Sequence, residues 1–126
     1  MQVLLADDDD LNRAVTQKLL EKLGCIVSAV SSGSECLGAI GPASSPFQII
    51  ILELQMPELD GFEVAMRIRK FRSRSWPLIA MTSSTDEDIW EKCSQIGMNG
   101  IIRKPVLLQE IAIELQKVLM QANKYV

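Results

Sequence analysis

The chain has 126 residues, 48% of them hydrophobic, and a net charge of −3. These totals are typical of one globular domain with a single core. The acidic balance argues against general nucleic-acid binding. No apolar run is long enough to span a membrane, and the first residues lack the basic region of a signal peptide. Three cysteines without a C-x-x-C pair indicate reduced thiols in a cytosolic setting. The absence of histidine excludes histidine-based catalysis and His-ligated zinc within the chain.

Short apolar runs alternate with longer segments of helical period along the chain. The short runs are rich in β-branched and aliphatic residues and almost continuous in hydrophobicity, which is typical of strands buried on both faces of a parallel sheet. The predicted strands cover residues 3–6, 26–30, 49–52, 77–81 and 100–103.

The segments between the strands are predicted to be helices. In the first, apolar residues recur every three to four positions from Leu11 through Val15 to Leu23, and Gly24 ends it. Asp60 and Glu63 form a capping-box pattern at the start of the third. The remaining predictions are a helix from a cap at Ser32 or Ser34 to 40, a loop at 41–46, a helix from a cap at Ser84 or Thr85 to 97, and a helix over 107–121.

This order of elements is a βα unit repeated five times. Right-handed crossovers then produce an α/β fold, a doubly wound parallel sheet with helices on both faces. Ligands of such sheets bind at the carboxyl ends of the strands, near the point where the strand order reverses. The side chains that follow each strand are therefore the candidates for a functional site.

Polar residues stand at the carboxyl ends of four predicted strands. Carboxylates repel one another unless a cation lies among them, and sites with oxygen ligands suit Mg²⁺. A lysine and a hydroxyl suit a phosphoryl group opposite the metal. The set consists of Asp7 and Asp8, Glu53, Thr82, and Lys104.

The segments that carry these residues are VLLADDDDLNR, LELQMPELDGFE, PLIAMTSS and GIIRKPV. Together they resemble the motifs of response-regulator receiver domains, over Val3 to about Val118. The resemblance implies a flavodoxin-like five-stranded sheet of order 2-1-3-4-5. It also implies a single receiver domain over 1–126 that is regulatory rather than an enzyme. In that family an aspartate at the end of the third strand accepts a phosphoryl group from a phosphohistidine, with Mg²⁺ assisting.

The resemblance also assigns roles to individual positions. Asp7 and Asp8 match the acidic pair, with Asp8 as the direct metal ligand. Gln55 matches the position whose backbone carbonyl completes the metal site. The other assignments are the switch hydroxyl at Thr82, the phosphate-contacting lysine at Lys104, and a proline after a cis peptide bond at Pro105.

Two positions depart from the family pattern. Glu53 replaces the phosphoacceptor aspartate, and Ile101 replaces the aromatic switch residue. The extra methylene moves the Glu53 carboxylate outward by up to about 1.5 Å, and a misplacement of about 1 Å can cost roughly a hundredfold in rate. We therefore expect a receiver that is not phosphorylated, with Mg²⁺ bound weakly or not at all and no organic cofactor. Glu53 then either imitates the charged state in part or only pairs with Lys104; the sequence leaves both open. The alternative is a conventional acceptor that uses Glu53 inefficiently.

Longer stretches are similar to one branch of the family. LLEKLGCIVSAVSSGSECL, FEVAMRIRKFRSRSWPLIAMTSST and EKCSQIGMNGIIRKPVLLQEI resemble the C-terminal receiver domain of plant ethylene receptors with degenerate kinase domains. This implies a fragment of a larger receptor at the cytosolic face of the endoplasmic reticulum, without direct membrane contact by this domain. The partners implied are histidine phosphotransfer proteins, a Raf-like downstream kinase, sibling receptors, the receptor's own kinase domain, or a second copy.

Two other interpretations fit the motifs less well. Haloacid-dehalogenase-like phosphohydrolases share the order of Asp8-x-Asp10, Thr82 and Lys104, but they need a further acidic pair, and only Glu110 and Glu114 follow, on a helix. An EF-hand loop in DDDDLNRAV would need glycine at its sixth position and glutamate at its twelfth, and neither is present.

Overall fold

The computed structural model describes residues 1–41, 45–71 and 76–123. In this part of the chain five strands and five helices alternate, as the sequence predicts, and most boundaries fall within two residues of the predicted ones. The elements are β1 (Gln2–Ala6), α1 (Asp10–Lys22), β2 (Ile26–Val30), α2 (Gly33–Ile40), β3 (Ile49–Glu53), α3 (Gly61–Phe71), β4 (Leu78–Thr82), α4 (Ile89–Ile96), β5 (Gly100–Arg103) and α5 (Leu108–Asn123).

The five strands form one parallel sheet of order β2-β1-β3-β4-β5. The predicted fold class and strand order are therefore confirmed. β3 lies in the centre between β1 and β4, and the strand order reverses between β1 and β3. The register places Glu53 opposite Met81 and Thr82 opposite Arg103. The carboxyl ends of β1, β3, β4 and β5 thus meet at one edge of the sheet.

The sheet separates two apolar cores because successive residues of a strand point to opposite faces. Every residue of β3 is buried. Ile50 and Leu52 pack into the core beneath α2, α3 and α4, whereas Ile49 and Ile51 pack into the core beneath α1 and α5. A strand covered on both faces has no reason to carry a polar residue except at its end, where Glu53 lies.

The apolar residues of α1 are only partly buried. Leu11 is 73% exposed and Val15 is 44% exposed, while Thr16 and Leu20 are the buried residues of this helix. Leu20 follows Leu11 by nine residues, which places the two on opposite sides of the helix, and the side with Thr16 and Leu20 faces the sheet. The Thr16 hydroxyl is accommodated inside the protein by a contact of 3.9 Å with the sulfur of Met81.

The predicted start of α4 is wrong, because Ser84 and Thr85 do not cap it. The Ser84 Oγ accepts a hydrogen bond from the Asp86 N–H at 3.1 Å, and an Asp86 oxygen accepts one from the Asp88 N–H at 2.9 Å. These local turns use the acceptors that would otherwise cap a helix. The helix therefore begins only at Ile89.

Other predicted helix ends are confirmed. The Ser32 side chain caps α2 by accepting from the Glu35 N–H, and Gly97 ends α4 in the left-handed conformation. Asp60 accepts from the Glu63 N–H at 2.9 Å, which is one half of the predicted capping box. The Glu63 carboxylate pairs with Arg67 on the next turn instead of completing the box. The predicted loop at 41–46 lies partly outside the described residues.

The three cysteines form no disulfide. Cys25, Cys36 and Cys93 are buried free thiols, and burial raises the pKa of Cys36 to about 12. None of the helices in the described ranges combines the length and the apolar character that crossing a membrane requires.

Candidate functional site

The site is built around a buried carboxylate at the end of the central strand. Glu53 is 3% exposed, and its Oε2 lies 2.5 Å from the ammonium nitrogen of Lys104, which follows β5. The contact has the length of a tight ion pair without the alignment of a hydrogen bond. The other oxygen, Oε1, accepts a hydrogen bond from the Gln55 N–H at 3.2 Å. Lys104 thus neutralises a charge that the strand itself could not stabilise.

Asp7 supplies a second carboxylate to the same lysine. It follows β1, is fully buried, and its Oδ2 accepts a hydrogen bond from the Lys104 ammonium at 3.2 Å. Its Oδ1 accepts a hydrogen bond from the Asp9 N–H at 3.0 Å. One ammonium therefore joins the ends of β1, β3 and β5. We call Asp7, Glu53 and Lys104 the ionic triad.

Burial and charge shift the pKa of two members of the ionic triad. Burial raises the pKa of Glu53, and the neighbouring Asp7 adds to this, while Lys104 and the Gln55 N–H oppose it. Burial alone would lower the pKa of Lys104, but the close contacts and negative charges of Glu53 and Asp7 outweigh it, so the pKa is raised. Lys104 is therefore a firmly protonated cation at neutral pH.

Thr82 lies at the end of β4, next to β5, and is fully buried. Its Oγ1 accepts a hydrogen bond from the Ser84 N–H at 3.0 Å, and its carbonyl accepts one from the Lys104 N–H at 2.8 Å. The side chain of Arg103 donates to the Ser84 carbonyl at 3.1 Å. The hydroxyl is thus held toward the loop that leads to α4, and that loop is fastened to β5.

As arranged, the buried carboxylates are paired with donors of the protein. Each Asp7 oxygen accepts a hydrogen bond, and both oxygens of Glu53 face donors of the protein. Asp8 is exposed. Within the described ranges no three acidic, cysteine or histidine side chains are grouped so that they could hold a metal. The Lys104 ammonium provides the cation that the carboxylates require.

A sequence comparison decides the family. The model of the family described as "Response regulator receiver domain" matches residues 3–116.

The chain belongs to the response regulator receiver domain family.

Individual proteins agree with this assignment. The receiver is 61% identical to "Ethylene receptor 2" of Arabidopsis thaliana over an alignment of 129 residues. The alignment covers 98% of this chain and 16% of that protein. The chain thus spans about one sixth of the length of that relative. A receiver domain structure from Clostridium thermocellum superimposes with a TM-score of 0.87 at 24% identity, over 99% of this chain and 98% of that one. The receiver domain of a histidine kinase from Arabidopsis thaliana, in mutant form, superimposes with a TM-score of 0.80 at 27% identity, over 94% of this chain and 89% of that one.

The fold brings most of the predicted site residues of this receiver together. Lys104 contacts both Asp7 and Glu53, and Gln55 contacts Glu53 through its N–H; a metal-binding role for the Gln55 carbonyl stays a prediction. The bond between Lys104 and Pro105 is cis. Asp8, expected as the direct metal ligand, is exposed.

Ile101 occupies an intermediate position in the receiver. It packs against the core beneath α2, α3 and α4, yet it is only partly buried and also borders an open cleft beside α5. The isoleucine that replaces the aromatic switch residue is therefore not enclosed wholly inside the protein. Its backbone N–H donates to a carboxylate oxygen of Glu114 at 3.2 Å.

Two residues that support the site were missed from the sequence. Arg13 donates to the Asp7 carbonyl at 2.9 Å and pairs with Asp10 at 2.6 Å, which fixes the loop that carries Asp7. Gly61 lies so close to the end of β3 that a Cβ there would collide with the Glu53 carbonyl oxygen. The Arg13–Asp10 spacing of three residues in a helix could have indicated the first. The second needs the tertiary structure.

Proposed function

We propose that this receiver works without phosphorylation, as a protein-interaction module whose site is held by the ionic triad. The observation that carries the proposal is the short contact between Glu53 Oε2 and the Lys104 ammonium. The lysine that would contact a phosphoryl group is already neutralised by the residue at the acceptor position. A phosphoryl group that took the place of Glu53 against Lys104 would have to separate this buried pair, which is costly in a low-dielectric environment.

The length of the Glu53 side chain supports the same conclusion. Glu53 is the last residue of β3, and its carboxylate contacts Lys104 without an added phosphoryl group. One glutamate supplies a single negative charge, whereas an aspartyl phosphate would supply about −2. Of the two roles for Glu53, the direct ion pair favours structural fastening of β3 to β5 over imitation of the phosphorylated state.

Similarity to ethylene receptors supports a setting for the module. The chain is 61% identical to "Ethylene receptor 2" of Arabidopsis thaliana over 98% of its length. We infer that it acts as the receiver of an ethylene-receptor-like hybrid histidine kinase at the endoplasmic reticulum. The partners that we propose are sibling receptors, the receptor's own kinase domain, a Raf-like downstream kinase and histidine phosphotransfer proteins.

Phosphotransfer separates this proposal from a conventional receiver. The purified domain is incubated with acetyl phosphate and millimolar magnesium, or with a phosphorylated histidine phosphotransfer protein, and analysed by mass spectrometry of the intact protein. We expect no adduct. The Glu53→Asp variant serves as the matched control, because its shorter side chain restores the acceptor of the family and should gain a hydroxylamine-labile adduct. A stoichiometric adduct on Glu53 of the parent protein would overturn the proposal.

A second measurement tests whether the surface formed by α4, β5 and α5 keeps one state. Relaxation-dispersion NMR on backbone amides reports exchange on the microsecond-to-millisecond timescale. We expect flat profiles for Ile101, Arg103 and the residues of α4. Exchange between two populated conformers at these amides would show that the switch still operates.

A further inference from the structure

The two edge strands of the sheet, β2 and β5, are protected to different degrees. An edge strand offers backbone N–H and C=O groups to an incoming strand, and proteins usually block this edge with charged side chains or proline. At β5 the N–H of Ile101 donates to the Glu114 carboxylate at 3.2 Å. At β2 the stretch from Gly24 to Ser34 contains no charged residue and no proline. The edge at β2 is therefore the less protected one.

The backbone of Val27 and Ala29 faces away from the sheet. The Ile26 N–H donates to the Met1 carbonyl at 2.8 Å, so the backbone groups of Ile26 face β1. Alternate residues of a parallel pair turn their backbone groups in opposite directions. Within the described residues, the outward N–H and carbonyl groups of Val27 and Ala29 have no hydrogen-bond partner.

Local hydrogen bonds close both ends of this free segment. At one end the Cys25 N–H donates to the Leu20 carbonyl at 3.1 Å. At the other end the Ser31 N–H donates to the Glu35 carboxylate at 2.9 Å. An incoming strand can therefore pair with β2 only along the two outward-facing residues between these ends.

This short segment is self-complementary in one antiparallel register. When Ser28 lies opposite Ser28 of a second copy, Val27 of each copy lies opposite Ala29 of the other. Each such pair exchanges two N–H···O bonds, and a twofold axis relates the pairs. Moving the axis to Val27 or Ala29 would bring in Cys25 or Ser31, whose N–H groups already donate within the chain. We propose that β2 pairs with β2 of a second copy in this register, so that the two sheets become continuous.

The side chains of β2 agree with this pairing. Ile26 is 64% exposed although it belongs to a strand. The register places it opposite Val30 of the second copy, and cross-strand pairs of this kind stabilise antiparallel sheets. Ser28 is exposed and would lie opposite its own counterpart, where its small side chain leaves the two strands room to approach.

The charges near β2 favour a second copy as the occupant. Glu35 lies beside Ser31, at one end of the free segment. In the antiparallel register the two Glu35 side chains lie at opposite ends of the paired strands, about 20 Å apart, which is beyond the Debye length of about 10 Å. A second copy therefore brings no like charges together along the strands, and the uncharged edge has nothing to select a charged partner strand. The proposal goes beyond the role of the ionic triad and does not depend on Glu53.

Sedimentation velocity of the 126-residue domain tests the proposal. We expect a dimer whose fraction rises with protein concentration up to about 1 mM, because a short interface associates weakly. In two-dimensional NMR the amide signals of Val27, Ser28 and Ala29 should shift with concentration. Hydrogen exchange at the amides of Val27 and Ala29 should slow as the dimer forms.

Ser28→Lys is the discriminating variant. It changes an exposed side chain and would place two ammonium groups opposite each other at the twofold axis, so the dissociation constant should rise about tenfold or more. Gln109→Lys, the same charge change at an exposed position of α5, is the matched control and should leave the constant unchanged. Ile26→Ser should weaken the dimer about fivefold. Two-dimensional NMR spectra check that each variant is folded.

A mixture of two variants tests the register itself. Ser28→Glu alone should be as poor a dimer as Ser28→Lys, because like charges again lie opposite each other. An equimolar mixture of the two should associate, since the facing charges are then opposite. A dimer through any other surface would not show this rescue.

Three outcomes would overturn the proposal. They are a monomer at every concentration up to about 1 mM, a dimer that Ser28→Lys leaves intact, and a mixture of Ser28→Lys and Ser28→Glu that associates no better than either variant alone. The second outcome would assign self-association to another surface of the domain.

Discussion

The ammonium of Lys104 lies 2.5 Å from the Glu53 carboxylate, and the same nitrogen lies 3.2 Å from Asp7. One cation thus serves two buried anions that come from the ends of different strands. A buried charge without a partner is far more costly than the pair is stabilising. The stability of the whole strand-end edge should therefore depend on Lys104 more than on any other charged residue of the ionic triad.

Lys104→Met tests this dependence. Removing the cation leaves Asp7 and Glu53 as neighbouring buried carboxylates, which should lower the free energy of unfolding by about 3 kcal/mol. This value is the lower end of the range for buried pairs, because Lys104 keeps some contact with solvent. Urea denaturation at neutral pH measures it. Lys92→Met, which removes a pair of exposed side chains with Asp86, should change little. Equal effects of the two variants would contradict the role of the triad.

The contribution of Lys104 should also depend on pH. The pKa of Lys104 is raised in the folded state, so its stabilisation is fully present below the ordinary value of 10.5 and is lost as the pH rises through the folded pKa. The difference in unfolding free energy between the parent domain and Lys104→Met should therefore shrink in alkaline solution. A difference that grows there would show that the sign is wrong.

The Glu53 carboxyl group should lose its proton at a higher pH than an ordinary glutamate does. Burial raises its pKa above 4.5, so relative to Glu53→Gln the parent domain should lose stability as the pH rises from 4.5 through the folded pKa. A carbon-detected NMR titration of the Glu53 carboxyl group measures the midpoint directly. In Lys104→Met the midpoint should move higher still, because the lysine opposes the shift. A midpoint below 4.5 in the parent domain would contradict the expectation.

Gly61→Ala should disturb the site through the backbone. The added Cβ would collide with the Glu53 carbonyl oxygen and would lie 2.9 Å from the Leu54 Cα. Neither atom belongs to a flexible side chain, so we expect a loss of about 1–3 kcal/mol of stability and shifted amide signals at Glu53 and Gln55. Gly38→Ala is the matched control. Its Cβ would meet nothing within 4 Å on α2, and this change should stabilise the domain by up to about 1 kcal/mol.

Glu58 offers a stabilising substitution close to the site. It lies between β3 and α3 with a φ of 66°, a left-handed conformation that asparagine tolerates better than glutamate. Glu58→Asn should therefore raise the free energy of unfolding by about 0.5–1 kcal/mol. Glu58→Ala keeps an ordinary Cβ and should show no such gain. If both variants behave alike, the backbone conformation at this position is not the source of strain.

The sequence was sufficient for the features that depend on local pattern. Continuous apolar runs predicted all five strands. The parallel direction of these strands predicted that Asp7, Glu53 and Lys104 would meet at one edge of the sheet. The resemblance to receivers added the strand order. The sequence could not decide how the carboxylates are neutralised, because a metal ion and the Lys104 ammonium satisfy the same charge.

Other features could not be predicted because the sequence is compatible with more than one local arrangement. Leu11 and Thr16 lie on different sides of α1, and only the packing against the sheet decides that the threonine is buried. The hydroxyl of Ser84 can cap a helix or close a turn, and it closes a turn. The contact of Glu114 with Ile101 joins residues of different elements, so no local pattern could reveal it.

The two tryptophans of the domain have opposite surroundings. Trp76 is 4% exposed and its indole N–H donates to the Phe47 carbonyl at 3.0 Å, while Trp90, on α4, is 39% exposed. The two indole rings should therefore differ in the wavelength of their emission maximum and in their accessibility to an aqueous quencher such as iodide. Quenching at a low iodide concentration reports on Trp90 at the surface of α4. A red shift in the emission of the buried Trp76 reports unfolding. The domain thus carries two optical probes that need no labelling.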